Sequence, residues 1–192
     1  MVDKIKISVV VPVYNSEKTI EELVTRLVNV FQSKNDYSLE IVLVNDGSSD
    51  ESWKCIQEQK KNFPAILKGI NLTKNYGQHN SLLCGFSFCS GDFVITMDDD
   101  LQHPPEEIEK LLEAQKINDA DIVYGMYKEK HHSFVRNFGS LFIRKTSEYK
   151  KQTNGGGSSF RLIRKNLAEI LVEKHSQHFL FLDAALNWYN TN

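Results

Sequence analysis

Residues 93–105 read FVITMDDDLQHPP, an apolar, β-branched run that leads straight into Asp98, Asp99 and Asp100. Carboxylates this close repel one another, so the group needs a cation or a set of donors to stay ionised. Side chains alternate along an extended segment, which predicts Asp98, Asp100 and Gln102 on one side and Asp99 on the other. The oxygens of Asp98, Asp100 and Gln102 suit Mg2+ or Mn2+, with substrate phosphates completing the shell. A solvated acidic turn is the plainer reading. Against it stands the run itself, which reads as a buried strand of a covered parallel sheet. Ligands of open α/β sheets bind at the carboxyl ends of such strands.

Two other segments end apolar runs in the same way. VVVPVYNSE places Tyr14 after the first, and IVLVNDGSSD places Asp46 after the second. Tyr14 could pack against a flat base, and Asp46 could accept a hydrogen bond from a base imide or amide. Each also has an ordinary reading, Tyr14 as core and NDGSSD as a turn with a helix cap. Their force comes from position, at the ends of successive strands whose carboxyl ends share one sheet edge.

The elements that must position these groups follow from periodicity. Strands are expected at Ile5–Val13, Tyr37–Val44, Ala65–Leu72, Phe93–Met97 and Asp121–Tyr124. Helices are expected at Thr19–Phe31, Glu51–Asn62, Ser81–Cys89 and Pro105–Ile117. The β-α-β-α-β-α-β order predicts an α/β fold with a mostly parallel central sheet flanked by helices. After Gly125 the chain turns rich in Lys, Arg, His and aromatics. A helix is expected over Ser133–Tyr149, a mobile loop over Gln152–Ser159, and helices over Arg164–Glu173 and Phe181–Tyr189. No repeat or linker interrupts the chain, which predicts one domain over 1–192.

Composition narrows the partners. With 192 residues, 41% of them hydrophobic, the chain suits one compact domain. A net charge of -2 offers no basic field for nucleic acid. Cys55, Cys84 and Cys89 form no CxxC pair, which fits buried thiols in a reducing, cytoplasmic setting. No stretch approaches the roughly 18 apolar residues of a membrane helix. Trp53, Trp188 and the segments Phe138–Phe142 and Phe179–Phe181 are expected in the core; any that stay exposed would rest on a membrane surface or a partner chain. The closing NWYNTN follows an apolar helical pattern without a cap, so the natural chain is expected to run on.

SVVVPVYNSE, IVLVNDGSSD, KNYGQHNSLLCGF, GDFVITMDDDLQHPPEEI and SSFRLIRK resemble the inverting glycosyltransferases of family 2, closest to the dolichyl-phosphate mannosyltransferase-like, or polyprenyl-phosphate sugar transferase, group. The resemblance implies a GT-A fold, Rossmann-like, with a nucleotide-sugar-binding half at 1–125 and an acceptor-side half at 126–192. It implies that Pro12, Tyr14, Glu17, Asp46 and Asp98 hold the nucleotide, Asp98 being the first aspartate of the DxD motif. It places the divalent metal, Mg2+ or Mn2+, on Asp100 and Gln102, and an acceptor phosphate or the donor diphosphate on Lys128, Arg136 and Arg161.

The implied donor is a nucleotide diphosphate sugar. The implied acceptor is a lipid-linked phosphate or a growing surface glycan, at the inner face of the membrane. A lipid phosphate is already an anion, whereas a sugar hydroxyl needs a base. Asp183, the acidic residue among late apolar ones, is the candidate base; a carboxylate at a helix N-terminus is its other reading. Lys130, Arg144, Lys145 and the His131-His132 pair read as surface charge.

Where the family often has an aspartate before Ser-x-Phe-Arg, this chain has Asn154-Gly155-Gly156-Gly157-Ser158. That departure keeps open a nucleotide- and metal-binding protein without transferase activity. An aspartate-nucleophile phosphatase also sets DxD after a strand, but its usual hydroxyl residue is replaced here by Gln102.

Overall fold

The computed structural model describes residues 4–127, 141–145, 159–175, 182 and 186. β-Branched residues dominate Ile5–Val13 (β1) and mix with leucine in Tyr37–Asn45 (β2), and the two strands pair in parallel from Ile5 opposite Tyr37 to Val13 opposite Asn45. Leu67–Asn71 (β3) flanks β2, and Phe93–Thr96 (β4) flanks β1, both parallel. With Ile122–Tyr127 (β5), Leu141–Lys145 (β6) and Arg161–Arg164 (β7), the described strands form one seven-stranded sheet in the order β3-β2-β1-β4-β7-β5-β6.

β7 runs antiparallel to β4 and β5, and β6 antiparallel to β5. Thr96 pairs with Arg161, so the residues just before β7 lie against those just after β4. This reversal brings distant sequence to the aspartates.

Alternate residues of the central strands bury into opposite faces. Ile7, Val9, Val11 and Val13 pack with helices Ile20–Gln32 (α1), Ser52–Asn62 (α2) and Ile108–Asn118 (α4). Val10, Val42, Val44 and Val94 pack with Gln78–Phe86 (α3) and Lys165–His175 (α5), joined by Leu182 and Leu186. Burial on both faces explains why these strands read as continuous apolar runs. Each fully buried Val, Leu or Ile contributes roughly 1.5–3 kcal/mol.

Three expectations need correction. The helix expected over Ser133–Tyr149 fails at Leu141–Lys145, which is strand; its backbone pairs with β5 from Leu141 opposite Tyr127 to Lys145 opposite Val123, covering an edge that would otherwise stand open. The rest of that helix, most of the loop at 152–159 and most of Phe181–Tyr189 lie outside the described residues. Arg164, expected to open a helix, instead closes the strand Arg161–Arg164, whose four residues are too short a run to show a period. Finally, α3 starts at Gln78 rather than Ser81, because Gly77 at φ 89° turns the chain into the helix earlier.

Candidate active site

The carboxyl ends of β1, β2 and β4 open on one cavity of about 300 Å3. Pro12, Tyr14, Asp46, Asp98 and Asp100, all singled out by sequence, line it together. Val13, Asn75, Gly77, Gln78 and Asp99 also line it, and of these only the aspartate had been given a role from the sequence.

The aspartate segment departs from the extended path that alternation assumed. β4 ends at Thr96, and Leu101 adopts φ 60°, so the chain bends across residues 97–103. Asp99 consequently lines the same cavity instead of pointing away, and its Oδ2 accepts the Tyr14 amide at 3.1 Å. Burial pushes the Asp99 carboxyl above its ordinary value, against hydrogen bonds from the Ser16 hydroxyl and the Tyr14 amide. Asp98 is gripped from two sides: Gln78 Nε2 donates to Oδ1 at 2.6 Å, and Ser159 Oγ donates to Oδ2. Asp100 Oδ1 accepts the Gln102 amide at 3.0 Å.

On the other wall, Asp46 is 3% exposed and turned inward. Its Oδ1 accepts the Tyr76 amide at 2.7 Å and its Oδ2 the Gly77 amide at 2.9 Å. Asp46 therefore shapes the turn before α3, besides any contact it makes to a base. Gly47 makes this turn possible. It sits at φ 66°, and a Cβ there would lie 2.4 Å from the Lys74 carbonyl carbon. Tyr14, by contrast, is 50% exposed where it lines the cavity.

A pattern match agrees with this geometry. Residues 8–179 match glycosyl transferase family 2. The chain belongs to that family. Among solved structures it is similar to a mannosyltransferase from Pyrobaculum calidifontis in complex with GDP-Man and Mn2+, with TM-score 0.63 and 15% identity over 88% of this chain and 47% of that one. It is also similar to S. aureus TarS in complex with UDP-GlcNAc, with TM-score 0.58 and 25% identity over 86% of this chain and 47% of that one. A third is glucosyl-3-phosphoglycerate synthase from Mycobacterium tuberculosis in complex with UDP, with TM-score 0.56 and 17% identity over 85% of this chain and 58% of that one. The fold is GT-A, as expected. The chain spans about half the length of these proteins.

Within this family-2 domain, other expected site residues fall elsewhere. Glu17 does not line the cavity; its Oε2 accepts the Glu51 amide at 3.0 Å and so serves the start of α2. Gln102 is exposed and off the cavity wall. Arg161 is 2% exposed, with Nε donating to Thr96 Oγ1 at 3.1 Å. Lys128, Arg136 and Asp183 lie outside the described residues.

Sequence reasoning also passed over His103. Its ring stacks on Phe160, centroids 5.2 Å apart. Burial lowers its imidazole pKa, while Asp98 and Asp100 pull the other way.

Among the described residues, no group of three or more His, Cys, Asp or Glu is arranged to hold a metal ion by itself. Asp98 and Asp100 nevertheless present carboxylates to the cavity, and Mg2+ commonly takes only one or two protein carboxylates, with substrate phosphates supplying the rest. The donor set fits a hard divalent ion bound together with a diphosphate. A larger cavity of about 500 Å3, between the end of β3, α3 and Val172, has no charged residue among the described residues that line it.

Proposed function

We propose that the protein is an inverting glycosyltransferase that moves a sugar from a nucleoside diphosphate sugar to a polyprenyl phosphate or a surface-glycan acceptor. The observation that supports this reading best is the meeting of Tyr14, Asp46, Asp98 and Asp100 on one cavity at the carboxyl ends of parallel strands. Tyr14 stacks on the base, and the loop held by Asp46 forms the base-side wall. Asp98 faces the ribose and diphosphate. Asp100, with Gln102 in the same turn, holds the divalent ion. That ion supplies Lewis-acid stabilisation of charge on the departing diphosphate.

The reaction is a single displacement. The acceptor oxygen bonds to the anomeric carbon as the carbon–oxygen bond to the diphosphate breaks, and the diphosphate leaves with the electron pair. A phosphate acceptor brings no proton to remove; a hydroxyl acceptor gives its proton to a carboxylate, for which Asp183 is the candidate. Lys128 and Arg136 are the cations for the acceptor phosphate or the diphosphate. The DDDLQHPPE stretch supports the polyprenyl-phosphate branch, working at the inner face of the membrane in cell-wall or surface-polysaccharide synthesis. No helix among the described residues is long and apolar enough to cross a membrane.

The test is a melting panel of UDP, GDP and dTDP, each with and without Mn2+. A nucleotide present at 100 times its dissociation constant stabilises the fold by about 2.7 kcal/mol. One nucleotide should raise the midpoint, and Mn2+ should enlarge the rise. A flat panel would end the proposal. Sugar transfer to a polyprenyl phosphate or to a glycan then separates the acceptors.

A further inference from the structure

The residues that lead into β7 touch the aspartate loop on both sides. Ser159 donates its hydroxyl proton to Asp98 Oδ2, and its carbonyl accepts Thr96 Oγ1 at 2.6 Å. The serine is thereby fixed at two points against the end of β4. One residue on, Phe160 is fully buried and stacks on His103. A Cβ at Gly125 would stand 2.4 Å from Phe160 Cδ1, so β5 backbone closes on that ring. Asp98 and His103 bracket Asp100 in sequence. The start of β7 thus holds the loop before and after the carboxylate that faces the donor.

We infer that Ser159 is a positioning residue for sugar transfer, orienting Asp98 from the strand that joins the acceptor-side half of the chain to the donor loop. The inference rests on the glycosyltransferase reading above. With Gln78 on one oxygen and Ser159 on the other, the Asp98 carboxylate has one orientation. Removing the serine hydroxyl leaves a single tether and frees the carboxylate plane to turn. Misplacement near a reacting centre by about 1 Å costs on the order of 100-fold in rate. The base is gripped on the opposite wall, by Tyr14 and the Asp46 turn, so the loss falls more on kcat than on nucleotide affinity.

The experiment compares Ser159→Ala and Ser159→Thr with wild type in the 192-residue chain. Nucleotide binding is measured by calorimetry with Mn2+, sugar release or transfer by steady-state kinetics, and folding by thermal melts. Ser159→Ala should lower kcat about tenfold or more while nucleotide Kd rises by only a few-fold, a loss carried mainly by the transition state. Ser159→Thr, which keeps the hydroxyl, should recover most of the rate. Rates are read below the lowest melting midpoint, so a modest loss of stability leaves the comparison intact. Wild-type turnover in Ser159→Ala, a loss that follows Kd, or no recovery in Ser159→Thr overturns the assignment of Ser159 alone. A wild-type chain that binds no nucleotide, or binds it and releases no sugar to either acceptor, overturns the glycosyltransferase reading and this inference with it.

Discussion

Gln78 Nε2 lies 2.6 Å from Asp98 Oδ1, tying the first residue of α3 to the loop after β4 across the cavity floor. Gln78 follows Gly77, whose amide donates to Asp46, so the two acidic walls of the cavity are joined through one short turn.

The first prediction concerns this contact. A hydrogen bond to a charged group is worth about 1.5–3 kcal/mol, so Gln78→Ala should lower kcat/KM for the donor by about tenfold or more. Gln78→Glu should be worse, because it sets a second carboxylate against Asp98, and added Mn2+ should relieve part of that repulsion. Steady-state kinetics across a Mn2+ series decides it; equal losses in both variants at every Mn2+ concentration would exclude a charge effect.

Asp46 yields a second prediction with a built-in control. Asp46→Asn keeps one carbonyl acceptor and turns an NH2 toward a backbone amide, leaving a buried donor unpaired at about 1–3 kcal/mol. Stability and nucleotide affinity should fall together. Tyr14→Ala, at a half-exposed ring, should weaken nucleotide binding while the melting midpoint stays put. Paired melts and calorimetry test both, and a stable Asp46→Asn variant would show that the 76–77 turn does not depend on this carboxylate.

The sequence made the strand ends legible because each apolar run stops at turn residues, and parallel strands share one carboxyl edge. Tyr14, Asp46, Asp98 and Asp100 were found by that logic alone. Gln78 and Ser159 were not, since they reach Asp98 from 20 and 61 residues away, and nothing local marks such a contact. Glu17 has a contact that the sequence equally did not announce. It stands beside the nucleotide segment in sequence, yet the chain turns after Asn15, at φ 54°, and delivers it to the start of α2. The order of β7 between β4 and β5 was equally hidden, because pairing of strands more than 60 residues apart leaves no local mark.

Gly47 supplies a third prediction. An L-residue in the left-handed region costs about 1–2 kcal/mol, and here its Cβ would also press on the Lys74 carbonyl carbon at 2.4 Å. Gly47→Ala should lower stability by about 2 kcal/mol or more and displace the 74–77 turn from Asp46. Urea unfolding reads the first effect and nucleotide calorimetry the second. A variant as stable as wild type would show that the turn relaxes freely.

The last prediction lies at the other end of the sheet, where Glu40 is 3% exposed on β2. Burial alone would raise its pKa; hydrogen bonds from the Ser8 hydroxyl, the Ser90 amide and hydroxyl, and Lys68 overcome that and hold it down at about 2, from an ordinary 4.5. Ser8 Oγ stands 2.5 Å from Oε2, and the Lys68 and Lys6 amines stand 2.9 and 3.2 Å from Oε1. A group whose folded pKa is depressed contributes stability that is present above its unfolded pKa and is lost as pH falls through the folded one. The contribution from Glu40 should be complete above about pH 4.5, fall away toward pH 2, and amount to roughly 3 kcal/mol. Glu40→Gln should therefore cost stability at pH 7 and flatten the acid limb of the stability curve. Urea midpoints at pH 7, 5, 4 and 3 check this, and an acid limb of unchanged slope in Glu40→Gln would place the lost stability on other carboxylates.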